Sequence, residues 1–142
     1  MEAKFKAVAL AHKVVQMSEQ YNGITQLQLQ KIMYYIQGSF MAKLGIKAFS
    51  EDLEAWPYGP VVKEVWKEFS CYGRDKIPVL PCNIILAEQE KELIDSVLTK
   101  CLTMNVWTLV DKTHQELPWK RAHDQGSSFI SDKDMIEQFC TI

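Results

Sequence analysis

The sequence predicts a mainly α fold of six or seven helices in one compact domain, with room for a short two-stranded extended element. Three observations carry that expectation. Apolar residues recur at threes and fours in several separate stretches, capping residues stand where those stretches begin, and no period-two run is long enough to make a substantial sheet. At 142 residues, with 47% hydrophobic and 24% charged content, the chain can enclose a real core. No composition shift divides it, so residues 1–142 are expected to fold as one domain.

In residues 3–18, Phe5, Val8, Ala11, Val14 and Val15 form an apolar stripe, with Lys4, Lys6 and Lys13 elsewhere on the wheel. Asn22 and Gly23 break this first helix, both being tolerant of left-handed backbone angles. Thr25 followed by Gln28 is a capping-box signature for a second helix over 26–44. Its stripe, Leu29, Ile32, Met33, Ile36, Phe40 and Leu44, is too apolar to face water and predicts a central helix ended by Gly45. Residues 49–56 offer a short extended segment.

The stretch 53–69 is the most informative. Pro57 and Pro60 bracket Tyr58 and Gly59, a stiff turn. It leads into a helix placed at 60–71, with Pro60 as its first residue and Val61, Val65, Trp66 and Phe69 on its packing side. Gly73 ends that helix, and 74–86 reads as an irregular connector with at most one short strand. A helix over 87–103 follows, with Glu88, Glu90 and Glu92 at its positive end. Asn105 caps another helix through His114, Pro118 opens a short turn of helix carrying Trp119, and Ser131 caps a last helix with Met135, Ile136 and Phe139 on its apolar side.

The net charge of −2 and pI of about 5.9 give no overall attraction to nucleic acid. Residues 1–50 carry six lysines against Glu2 and Glu19, a net +4, read as solvated helix edges. No apolar run approaches the roughly 20 residues of a membrane span, and the N-terminus has no apolar signal core, so a cytoplasmic protein is expected. Cys71, Cys82, Cys101 and Cys140 show no metal-ligand spacing and read as reduced thiols. No metal site or cofactor is predicted.

Of the three histidines, His12 reads as structural, while His114 and His123 lie in a polar segment with Asp111, Lys112, Glu116, Lys120, Arg121 and Asp124. Helical spacing puts Asp111 and His114 on one face, which is the basis of an alternative reading as an enzyme using His114 with a carboxylate. No nucleophile motif, phosphate loop or metal motif supports it, and no catalytic residue is assigned. Trp56, Tyr58, Trp66, Trp107, Trp119, Tyr34 and Tyr35 are candidates for a recognition surface, Trp66 being assigned to the core.

Three motifs in order carry a family likeness: Leu29-Gln-Lys-Ile-Met-Tyr-Tyr35 with Gln37-Gly38, Glu54-Ala-Trp-Pro-Tyr-Gly-Pro-Val61, and Leu109-Val with Thr113-His114 and Pro118-Trp119. Together they resemble the Panacea-domain family, also called SocA-like or GepA-like, found in phages and mobile elements. Ile32-Met33 replaces the more usual paired leucines with little change in volume. The resemblance implies an antitoxin that neutralises a protein toxin encoded by an adjacent gene, with delivery of that partner to a cellular protease as a variant of the same role. It implies no DNA-binding extension within these residues, so operon repression is not expected. By the resemblance, Lys31, Tyr35, Trp56, Tyr58, His114 and Trp119 are candidates to present donors and aromatic surface to the partner, and Leu29, Tyr34, Gly59, Pro60, Thr113 and Pro118 to build the fold. The three motifs are expected to meet on one side of the domain.

Overall fold

The computed structural model describes residues 1–140 and is mainly α, as expected. Among the described residues the order is β1 (Ala3–Phe5), α1 (Ala7–Met17), α2 (Gln26–Leu44), β2 (Lys47–Phe49), β3 (Glu54–Trp56), β4 (Gly59–Val61), α3 (Lys63–Phe69), α4 (Glu88–Leu102), α5 (Val106–Gln115), α6 (Leu117–Asp124) and α7 (Asp132–Phe139). One-turn 3₁₀ segments follow α1 and α3.

α2 is the axis of the fold. The Thr25 hydroxyl accepts from Gln28 N and the Gln28 side chain accepts from Thr25 N at 2.9 Å, so both halves of the capping box are made. Gly45 closes the helix in the left-handed conformation, φ 67°. Between these ends α1, α3, α4, α5 and α7 and the strands β2 and β4 pack around it. Enclosure along most of its length buries polar residues as well as the stripe: Gln26, Gln30, Lys31 and Gln37 have almost no exposed surface.

Those buried polar groups are matched to main-chain atoms that would otherwise lack partners. Gln37 accepts from Ala48 N at 2.7 Å and donates to Phe49 O at 2.7 Å, which holds β2. Gln30 accepts from Val62 N at 2.8 Å at the entry to α3, and Gln26 donates to Trp66 O at 3.0 Å. Each bond removes the desolvation cost of a buried peptide group, of order 1–3 kcal/mol when left unmade.

The structure corrects several expectations. Residues 3–5 are not the first turn of α1 but a strand, paired parallel with β2 through Ala3 with Lys47 and Phe5 with Phe49. Their local helical pattern yields to a pairing 44 residues away along the chain, and Lys6 turns the chain into α1. Pro60 does not begin a helix; it sits in β4 opposite Ala55 in an antiparallel pair, and α3 starts three residues later behind an extended Val62. A proline is tolerated there because β4 is an edge strand that needs no N–H at that position. The short turn of helix expected at Pro118 is there and is longer, a two-turn helix, α6, with proline in its first turn. Trp66, assigned to the core, is 38% exposed and meets Trp56 edge-on at 5.5 Å between ring centroids.

Two of the six lysines in residues 1–50 pair with acids from the rest of the chain. Lys4 pairs with Glu90 at 2.6 Å and Lys47 with Asp132 at 3.2 Å. No single described helix is long and apolar enough to cross a membrane; α4 and α5 reach that composition only as a pair bent by 109°. Cys71, Cys82, Cys101 and Cys140 are free thiols, and burial pushes the Cys101 thiol up to about 12.

α7 docks on α2 at Gly38, where a Cβ would lie 2.3 Å from the Phe139 ring. Alanine there improves helix propensity by about 1 kcal/mol, but forcing the ring aside costs about 1–3 kcal/mol. Gly38→Ala is therefore expected to lower the urea unfolding midpoint, and an unchanged or raised midpoint would show that α7 packs elsewhere.

Candidate functional site

The β3–β4 hairpin is three residue pairs long, Glu54 with Val61, Ala55 with Pro60 and Trp56 with Gly59. A two-stranded element of that size has marginal stability alone. Its tip, Pro57-Tyr58, keeps ordinary backbone angles, and the reversal falls on Gly59 at φ 108°. What holds it is a set of three side-chain donors from three helices. Lys31 Nζ on α2 donates to Pro60 O at 2.8 Å, His114 Nε2 on α5 to Pro57 O at 2.8 Å, and Trp119 Nε1 on α6 to Trp56 O at 2.7 Å. The outer edge of β3 is covered by the chain at 128–130, with Ala55 N donating to Ser128 O and Ile130 N to Leu53 O.

The three sequence motifs thus meet at one place, each contributing to the anchoring of the same hairpin. Lys31 is 0% exposed, so it does not present a donor at the surface. Its ammonium is deprived of water, and desolvation lowers its pKa from 10.5 to about 7. Gly59 lies against it: an added Cβ would come within 2.6 Å of the Thr113 hydroxyl and 3.0 Å of Lys31 Cε. The positive φ and the lack of space both require glycine there. Thr113 is itself fixed by donating to Val110 O at 2.7 Å.

Behind the hairpin, Glu116 gathers the two tyrosines. Tyr34 and Tyr35 donate to its Oε1 at 3.0 and 2.9 Å, and Lys112 donates to its Oε2 at 2.7 Å while lying 4.4 Å from the centre of the Tyr35 ring. Burial, reinforced by the Glu116 charge, raises both phenol pKa values far above the usual range, so the hydroxyls remain donors. Two adjacent tyrosines on an enclosed helix need an acceptor, and that was the sequence signal for Glu116.

On the outward side, Tyr58 at the hairpin tip is 59% exposed and packs edge-on against Trp107, 55% exposed, at 5.8 Å. Trp56 and Trp66 form the second pair. Trp119 is held between two imidazoles, His123 stacked on it at 4.7 Å and His114 tilted against it at 4.1 Å. Because His114 Nε2 faces a carbonyl oxygen, it carries its proton there, and Asp111 is not its partner. Leu29, Tyr34, Gly59, Pro60, Thr113 and Pro118 are all buried, whereas Trp56, His114 and Trp119 are half-buried. Trp107, at the exposed end of α5, joins the face without belonging to any of the three motifs. Among the described residues no three His, Cys, Asp or Glu side chains lie close enough to share a metal ion.

The depressed Lys31 pKa fixes the sign of a pH effect. Between about 7 and 10.5 the unfolded chain binds a proton that the folded chain does not, so stability rises with pH across that window. The full cost of burying the charge is present below it. Relative to Lys31→Met, the wild type is expected to gain up to about 1.4 kcal/mol per pH unit above 7. Urea unfolding of both proteins across the window measures this, and a pH-independent difference would mean that the amine is not desolvated.

Comparison with curated proteins and with solved structures returned no match. A family model, described as antitoxin SocA-like, Panacea domain, matches residues 29–120. That span begins at the first residue of the α2 motif, contains the whole hairpin and its three donors, and ends just after Trp119. The chain belongs to the SocA-like antitoxin family with a Panacea domain.

Proposed function

We propose that this protein is an antitoxin that neutralises a cognate protein toxin, encoded by an adjacent gene, by binding it directly through the face built around the β3–β4 hairpin. The observation that carries the reading is the exposed Tyr58–Trp107 pair on a fixed support. Tyrosine and tryptophan supply large rigid contact area with little entropy to lose, and they dominate the binding energy of protein interfaces. Here they stand outward while the backbone beneath them is tied to three helices, so little ordering cost remains to be met on association. Trp56, Trp66, His114 and Trp119 extend the same face.

The role is stoichiometric and needs no turnover, and it suits a protein working in the cytoplasm as one domain. Lys31 and Tyr35 contribute from within: the first fixes the hairpin, the second fixes α5 through Glu116.

Co-expression with the neighbouring gene tests the reading. The neighbour is expected to arrest growth alone and to be relieved by this protein. Tyr58→Ala and Trp107→Ala, both at exposed positions, are expected to weaken binding at least about tenfold each, or about 1.4 kcal/mol, without lowering stability. A harmless neighbour, or relief that both variants preserve in full, would sink the proposal. The partner's half-life separates the two routes, since unchanged turnover means neutralisation and shortened turnover means delivery to a protease.

A further inference from the structure

Helices α2, α4, α5 and α7 leave between them a cleft of about 530 Å3. That lies within the roughly 300–1,000 Å3 of small-molecule sites. Its floor is apolar, with Val97 and Phe139 among the lining side chains and Tyr35 beside them. Among the described residues its charged lining is uneven, with Lys43, Lys100 and Lys112 against Glu116. Glu116 already accepts from Tyr34, Tyr35 and Lys112. Lys43 and Lys100 are exposed, and their ammonium groups have no ion pair or hydrogen bond among the described residues. An apolar hollow with two cations unpaired among the described residues is thus set into a chain whose total charge is −2.

We infer that this cleft binds a small amphiphile with an aliphatic body and one anionic head, the body on the apolar floor and the head taken by Lys43 and Lys100. An extended peptide fits less well, because the walls are helices whose backbone groups are already bonded internally, leaving no strand edge for main-chain pairing. A flat aromatic body also fits less well, because the Lys112 ammonium already occupies the neighbourhood of the Tyr35 ring. Aliphatic carbon needs neither. Burying it contributes about 0.8 kcal/mol per methylene, and the two ammoniums select a negative head in a way that weakens with salt. The site uses none of the outward aromatics, so it stands whether or not the hairpin face binds a toxin.

Calorimetric titration of the full chain with decanoate at low salt, below micelle-forming concentrations, tests the assignment. Saturable one-to-one binding is expected, at least tenfold weaker for decanol and for the exposed double variant Lys43→Glu with Lys100→Glu. Val97→Trp, which fills the floor, is expected to weaken decanoate binding by a similar factor, and Tyr58→Ala to leave it unchanged. Thermal melts of the double variant, which alters no core residue, guard against misfolding as the cause. Absence of saturable binding, or binding indifferent to the double variant, would overturn the site. An acidic peptide that displaces decanoate at equal or lower concentration would overturn the aliphatic assignment in favour of a peptide groove.

Discussion

A lysine amine with no access to water, bonded to the carbonyl of Pro60, is the interaction on which the rest of this structure depends. It costs desolvation to place it there, and the cost is visible in the lowered pKa. What it secures is the junction between the central helix and a hairpin too short to persist alone. Gly59 must be bare to let the lysine pass, Thr113 closes the other side, and α5 is thereby brought against the hairpin at the point where His114 can reach Pro57. One buried donor sets the spacing of three elements.

The same logic runs along α2. An ordinary amphipathic helix divides its polar and apolar residues between water and core, but the middle of this one is buried all round, so Gln26, Gln30, Lys31 and Gln37 serve the backbones of its neighbours instead. The helix acts as a rack that fixes β2, β4 and the entry to α3. Local helical propensity alone would leave those short segments free; the side-chain amides give them a register.

Much of this was legible in the sequence, and what was missed has physical causes. Thr25 with Gln28, Gly45, Asn105 and Ser131 located helix ends, because capping chemistry is local. The stiff turn around Tyr58 and the meeting of the three motifs were legible too, though the strand that returns from the turn and the direction of each contact were not. β1 was hidden because three residues paired with a distant segment leave no periodic trace. Pro60 was misplaced because proline suits a first helical turn and an edge strand equally well, and only the partner Ala55 decides. Lys31 read as solvent-facing by its type, yet its neighbours Leu29, Ile32, Met33, Tyr34 and Tyr35 left no wet face for it. Trp66 erred in the other direction, counted into a stripe whose edge lies at the surface.

The anchoring of the hairpin tip has an evolutionary consequence. All three of its ties end on carbonyl oxygens at positions 56, 57 and 60. Every residue type offers that atom, so the scaffold holds the tip without regard to which side chain stands at position 58. Gly59 and the donors are fixed by space and geometry, but the outward residue is free to change. Substitution can therefore change what the tip displays while keeping the fold that presents it.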